Sequence, residues 1–283
     1  MRIQTFQDLF PNSASQSSWP TRQESLEKFQ KFNPLKYSKT RNYLNGQVSK
    51  LSHLIKHGVI TSKELLEMTR DKFSFEESEK FIQELAWRDF WRSYAYHHPD
   101  QIWTDVEDYK TGFQASEYQD KLPEDIESGQ TPTQVINVFI KNLKETGYIH
   151  NHARMYVASY VVHFRKVKWQ AGAKFFLTHL LDGDIASNNF SWQWIASTFA
   201  GKPYIFNLEN VQKYCDRTIN IDPNQNEEIN SKKDENIKLE YTHSEFGDIE
   251  IKDIPRVKKL SSKYLINSWT QIPHVTNHDE ADI

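Results

Sequence analysis

The chain has 283 residues, 35 of them basic and 38 acidic, a formal net charge of −3 and one cysteine. This near balance excludes a strongly basic nucleic-acid-coating protein. The lone Cys215 excludes a disulfide framework and a cysteine-built metal site. No apolar run approaches the ~18 residues that cross a bilayer, and the N-terminus lacks a signal-peptide core, so a cytoplasmic location is expected.

Apolar periodicity predicts helices over 22–31, 61–70, 75–97, 132–146, 150–168, 170–181 and 190–199. Thr61 with Glu64 and Ser74 with Glu77 stand at capping-box spacing. Residues 98–131, richer in Pro, Asp, Gln and Gly, read as irregular connection with short helical pieces. Nine glycines with no Gly-rich turn after a strand argue against a Rossmann unit or a P-loop. Composition changes near residue 216. Residues 216–239 read as a polar linker. Beyond them FGDIEIKDI alternates like a strand and RVKKLSSKYLINSW resembles a short amphipathic helix, in a tail too short to bury its own core.

Several segments carry chemistry. Glu84, Trp87, Arg88 and Trp91 fall at i, i+3, i+4 and i+7, on one helix face. The pattern suits either a core-facing indole stripe or a site that stacks a flat ring and hydrogen-bonds its edge. Arg154, in the polar helix start His150-Asn151-His152, needs an anion, and Asp182 or Asp184, flanking Gly183, supplies one. The histidines lack the spacing of a metal site, so no metal is expected. Trp169, Trp192 and Trp194 are either packing or an electron relay beside a redox cofactor. Tyr37, Arg41 and the run Ser49-Lys50-Leu51-Ser52, ahead of a helix, suit either phosphate binding or a simple cap.

In this order, ELAWRDFWRSYAYHHP and TGYIHNHARM…LLDGDIASNNFSWQWIAS resemble the FAD-binding helical domain of the cryptochrome/photolyase family over about residues 19–215. The resemblance implies an all-α fold, with FAD as cofactor, followed by the linker and a short β/α tail at 240–283. It implies that Tyr37, Ser49, Lys50, Leu51 and Ser52 surround the pyrophosphate. Glu84, Trp87, Asn151 and Met155 would face a flipped pyrimidine lesion and the adenine. Arg88, Arg154, Asp182, Asp184 and Asn188 would bind the cofactor, and Trp192 and Trp169 would carry electrons. Departures accompany these matches. His53 stands where the family usually has Pro, Phe81 replaces a DNA-facing Trp, and the outermost relay position, near Ser116, has no indole. Tyr118, or else Trp103, is expected to substitute.

The implied function is blue-light-driven repair of pyrimidine dimers in UV-damaged DNA, with single strands preferred. The alternative is a cryptochrome-like photoreceptor without repair. Residues 240–283, with IPHVT…DEADI, resemble the start of the catalytic domain of dihydrolipoamide acyltransferases. That implies a third reading, a weak link to a 2-oxoacid dehydrogenase complex through the tail.

Overall fold

Reciprocal caps fix three helix starts. Thr21, Thr61 and Ser74 each accept from the backbone N–H three residues on, and Glu24, Glu64 and Glu77 reach back to the cap backbone. The computed structural model describes residues 21–199, 201–215, 219 and 221–231. It contains helices α1 (Arg22–Gln30), α2 (Pro34–Thr40), α3 (Ser52–Lys56), α4 (Ser62–Lys72) and α5 (Phe75–His97). After a connection holding two 3-10 turns and α6 (Glu124–Ser128), α7 (Gln134–Thr146), α8 (Asn151–Ser159), α9 (Trp169–His179) and α10 (Ile185–Ala196) follow. Two short helices, α11 (Leu208–Tyr214) and α12 (Glu227–Ser231), complete the set. Among the described residues there is no strand, only an isolated bridge between Gln119 and Val167. The fold is all-α, as expected, and every helix read from periodicity is present within a few residues. Residues 240–283, with their β/α expectation, lie outside the described residues.

The 150–168 segment is one α-helix only to Ser159; Tyr160–Phe164 widens into a π turn. There the buried His163 donates from Nε2 to the Ile195 carbonyl at 2.8 Å, which ties α8's continuation to α10. The main core gathers around α7–α10, with Ile136, Ile140, Tyr156 and Trp169 fully buried. Burying each such side chain contributes about 1.5–3 kcal/mol. A second core, Phe29, Phe32, Leu51, Leu54, Leu65 and Phe81, joins α1–α4 to the first half of α5.

Two expectations change here. Within the segment read as a linker from 216 to 239, Asn226, Glu228 and Ile229 dock onto the domain. Asn226 Oδ1 accepts from Val135 N–H at 3.0 Å, capping α7, whose own N-cap Thr133 makes no side-chain cap bond. Glu228 accepts from Thr133 Oγ1 at 3.0 Å and from the Tyr160 hydroxyl, while Ile229 is buried in the main core. Polar composition hid this because its Asn and Glu side chains satisfy buried donors rather than water. Phe81, expected to face DNA, is buried instead. Its ring lies 4.8 Å from Phe32 and 5.7 Å from both Phe29 and Tyr37, so it is core.

Candidate functional site

The tight turn at 180–184, between α9 and α10, organises the site. Asp184 is the N-cap of α10 and accepts from Ser187 N–H at 2.9 Å. His57, just past α3, donates from Nε2 to the Leu181 carbonyl at 2.9 Å and anchors the turn to the first layer. Asp182 is the anion that Arg154 requires: Nη2 donates to Oδ2 at 2.8 Å while Nε donates to the Ile149 carbonyl at 3.0 Å. Burial raises the Asp182 pKa, but Arg154, with help from Ser52 and His53, outweighs it and holds the carboxyl below its ordinary value. Arg88, from α5, lies 3.8 Å from Asp184, so the second carboxylate faces a second cation. The Arg154 guanidinium and Lys50 Nζ both sit 5.8 Å from the centre of the Tyr148 ring.

Two cavities meet at Asp182. The smaller, about 140 Å³, is lined by Asn151, Arg154, Met155, Asp184, Asn188 and Trp192 among others. The larger, about 820 Å³, is lined by Lys28, Lys50, Leu51, His53, Tyr148 and His150 among others. Four buried polar atoms bordering these spaces make no hydrogen bond to the described residues: Asp182 Oδ1, Ser187 Oγ, Trp192 Nε1 and His150 Nε2. Orphaned groups cost about 1–3 kcal/mol each when nothing satisfies them, so their convergence marks a ligand side. His150 is held neutral: burial, then the neighbouring His152, Arg154 and Lys50, push its pKa down to about 4. Tyr37 is likewise neutral, pushed up by burial and by the nearby Glu84 carboxylate.

The sequence candidates sort into three groups. Asn151, Met155, Arg154, Asp182, Asp184, Asn188 and Trp192 come together around the smaller cavity. Lys50 and Leu51 line the larger one, and Lys50 takes the left-handed region at φ 56. Ser49 and Ser52 flank them, Ser52 opening α3. Tyr37 and Glu84 face each other beside this segment; Glu84 Oε1 makes no hydrogen bond, although Lys80 Nζ is 3.5 Å away. Trp87 stacks on Trp91 at 5.6 Å, and Trp91 on Phe190 at 5.5 Å, so this stripe is half site and half core. Trp194 does not join the site: it is buried against Tyr204, on the far face of α10.

Ser187, Ser191 and Ile195 also line the smaller cavity and were not singled out from sequence. Their signal was available: 184, 188, 191/192 and 195 share one face of α10. Trp169 is fully buried and donates from Nε1 to Asp105 Oδ1 at 2.6 Å. Tyr118 packs beside another tyrosine. It stacks on Tyr109 at 4.3 Å, shares a 2.8 Å hydrogen bond with Thr111 and is buried. The ring parallel to Trp169, at 6.2 Å and 4°, is Trp103.

Comparison with known proteins agrees with this geometry. The family described as the FAD binding domain of DNA photolyase matches residues 81–225. The deoxyribodipyrimidine photo-lyase of Streptomyces griseus is 33% identical over 53% of this chain and 32% of its own. Cryptochrome DASH of Idiomarina loihiensis is 30% identical over 64% of this chain and 41% of its own. An archaeal photolyase from Sulfolobus tokodaii, solved with two FAD molecules, aligns at 29% identity with a TM-score of 0.57, covering 71% of this chain and 45% of that one. The chain thus spans less than half the length of these relatives.

The residues fit FAD. A fixed cation–anion pair, two unpaired buried acceptors and an indole N–H border the smaller cavity. A lysine and a helix start border the larger, as a two-lobed dinucleotide requires. This chain belongs to the family of FAD-binding domains of DNA photolyase.

Proposed function

We propose that this domain serves light-driven repair of pyrimidine dimers in UV-damaged DNA. The observation carrying the reading is the convergence of Asn151, Met155, Arg154, Asp182 and Asn188 on one cavity, with Glu84, whose buried Oε1 makes no hydrogen bond, on the helix that also bears Trp87. Bound FAD, reduced and excited by blue light, supplies the single electron that splits the dimer. The chain's own residues do the rest. Arg154 and Asp182 fix the charged floor of the site. Asn188, whose Nδ2 donates to the Ala173 carbonyl at 3.1 Å, presents its amide in one orientation. Lys50, Ser49, Leu51, Ser52 and Tyr37 hold the phosphates, and Arg88 supports Asp184. Glu84 accepts from the lesion's ring N–H, Trp87 stacks on it, and Asn151 and Met155 close the remaining sides.

Single-stranded DNA is the preferred substrate in this reading. Extruding a dimer from a duplex costs a few kcal/mol, and residues 1–215 carry a net charge of only +2 with which to grip phosphates. The test is lesion loss, followed by chromatography, with chemically reduced flavin under blue light and in the dark. Glu84→Ala should cut turnover roughly 10- to 100-fold, the worth of one hydrogen bond to a charged group, with flavin content unchanged. No light-dependent loss in the wild type would move the assignment to the photoreceptor reading, which the likeness to a cryptochrome DASH supports.

A further inference from the structure

We propose that Asp105 accepts the proton of oxidised Trp169, and that Trp103 is the surface entry for the replacing electron. The proposal rests on the flavin-binding reading above. Three observations carry it. Trp169 is fully buried, yet its indole N–H donates to a carboxylate, Asp105 Oδ1, at 2.6 Å, and Gln170 Nε2 donates to the same oxygen at 3.1 Å. A neutral indole needs only a neutral acceptor, and a partly buried carboxylate costs desolvation. The charge acquires a use when the indole loses an electron, because the N–H then becomes acidic and the ring positive.

The second observation is direction. Trp103, 36% exposed, lies parallel to Trp169 at 6.2 Å, and Lys174 Nζ sits 5.5 Å from the centre of the Trp103 ring. The anion beside Trp169 and the cation beside Trp103 both favour a hole resting on Trp169. The third is continuity. Trp192 packs on Gly172, one turn along α9 from Trp169. Tyr118, buried and hydrogen-bonded to Thr111, offers no contact with a soluble reductant.

Trp192 first gives one electron to oxidised flavin excited by light. One electron leaves Trp169 for oxidised Trp192. The Nε1–H bond of Trp169 breaks and an O–H bond forms on Asp105, leaving a neutral indolyl radical beside a carboxylic acid. A soluble thiol then gives one electron through Trp103, and the proton returns from Asp105 to Nε1. The thiol departs as a thiyl radical, its proton lost to solvent.

The test is electron paramagnetic resonance and transient absorption on flavin-loaded protein after a light pulse. The wild type should show a deprotonated tryptophan radical. Asp105→Asn keeps an acceptor oxygen but no charge or basicity. It should show the protonated radical cation, with a lifetime shortened about tenfold. Asp105→Glu should restore the deprotonated signature. Trp103→Phe should keep the radical but slow its reduction by thiol about tenfold. The same radical form and lifetime in wild type and Asp105→Asn overturns the role of Asp105, and unslowed thiol reduction in Trp103→Phe overturns that of Trp103. Repair with chemically reduced flavin bypasses the relay. Its absence in the wild type therefore sinks the repair reading separately.

Discussion

The two sides of Trp192 are built by opposite rules. On one side lie Arg154, Asp182, Ser187 and Asn188, with Asp182 Oδ1, Ser187 Oγ and the Trp192 N–H all buried and unpaired. On the other lie Gly172 and, a turn away, Trp169, where the Trp192 ring packs on the Gly172 backbone and the Trp169 N–H is paired. One side is incomplete without a ligand; the other is finished protein. The contrast separates a binding surface from the proposed conduit on a single residue, and each side can be broken independently.

The largest effect belongs to the binding side. Asp182→Ala removes the carboxylate that Arg154 pairs with, in a site where removing one member of a buried pair costs about 3–5 kcal/mol. Flavin content after purification should fall to a trace, and the melting temperature should drop. Flavin retained at the wild-type level would mean that the Arg154 pair is not the cofactor's floor.

Next comes the boundary of the domain itself. A chain ending at Ser231 keeps Asn226, Glu228 and Ile229 in place, and its melting temperature should match the full chain's. A chain ending at Cys215 exposes the Ile229 site and leaves Val135 N–H and Thr133 without their partners. Losing a buried isoleucine alone is worth about 2–5 kcal/mol. Equal melting temperatures for the two truncations would return residues 216–231 to the status of linker.

On the conduit side, the backbone at Gly172 is set by Trp192: a Cβ there would lie 2.2 Å from Cη2 of the indole. Gly172→Ala must therefore push the ring toward the cavity, at about 1–3 kcal/mol of overpacking. Light-driven flavin reduction should slow while Trp192→Phe abolishes it. Trp169→Phe should slow it less, being a hop further out. Unchanged rates in all three would reduce the indoles to packing.

Much of this is legible in the sequence. The helix starts at Thr61 and Ser74 follow from a local rule, and the structure obeys it. The Arg154–Asp182 pairing follows from charge and the cost of burying it. What sequence could not supply was which face each aromatic takes. Phe81 and Trp194 look like site residues by composition and are core by packing, because neighbours distant in the chain surround them. That the ring parallel to Trp169 is Trp103 was hidden for the same reason: ring-to-ring distance is a tertiary quantity. The docking of 221–231 escaped because its polar side chains complete buried groups contributed by α7 and by the π turn.

The smallest effect is a titration on the binding side. His150 is the N-cap of α8, its Nδ1 accepting from His152 N–H at 3.1 Å, while its Nε2 borders the larger cavity unpaired. Protonation would put the new hydrogen on Nδ1, breaking the bond it accepts from His152 N–H, and place a cation at a helix N-terminus, beside Arg154 and Lys50. The folded pKa, about 4, lies below the unfolded value near 6.5. A depressed pKa contributes stability above the unfolded value that is lost as pH falls toward the folded one. Wild-type stability should therefore decline between about pH 6.5 and 4, by about 3 kcal/mol from this residue. Asparagine caps helices well and does not titrate, so His150→Asn should keep its melting temperature at pH 7 and lose less of it at pH 5 than the wild type. Parallel declines in the two proteins would show that His150 keeps an ordinary pKa, and that its unpaired nitrogen meets water rather than a dry ligand surface.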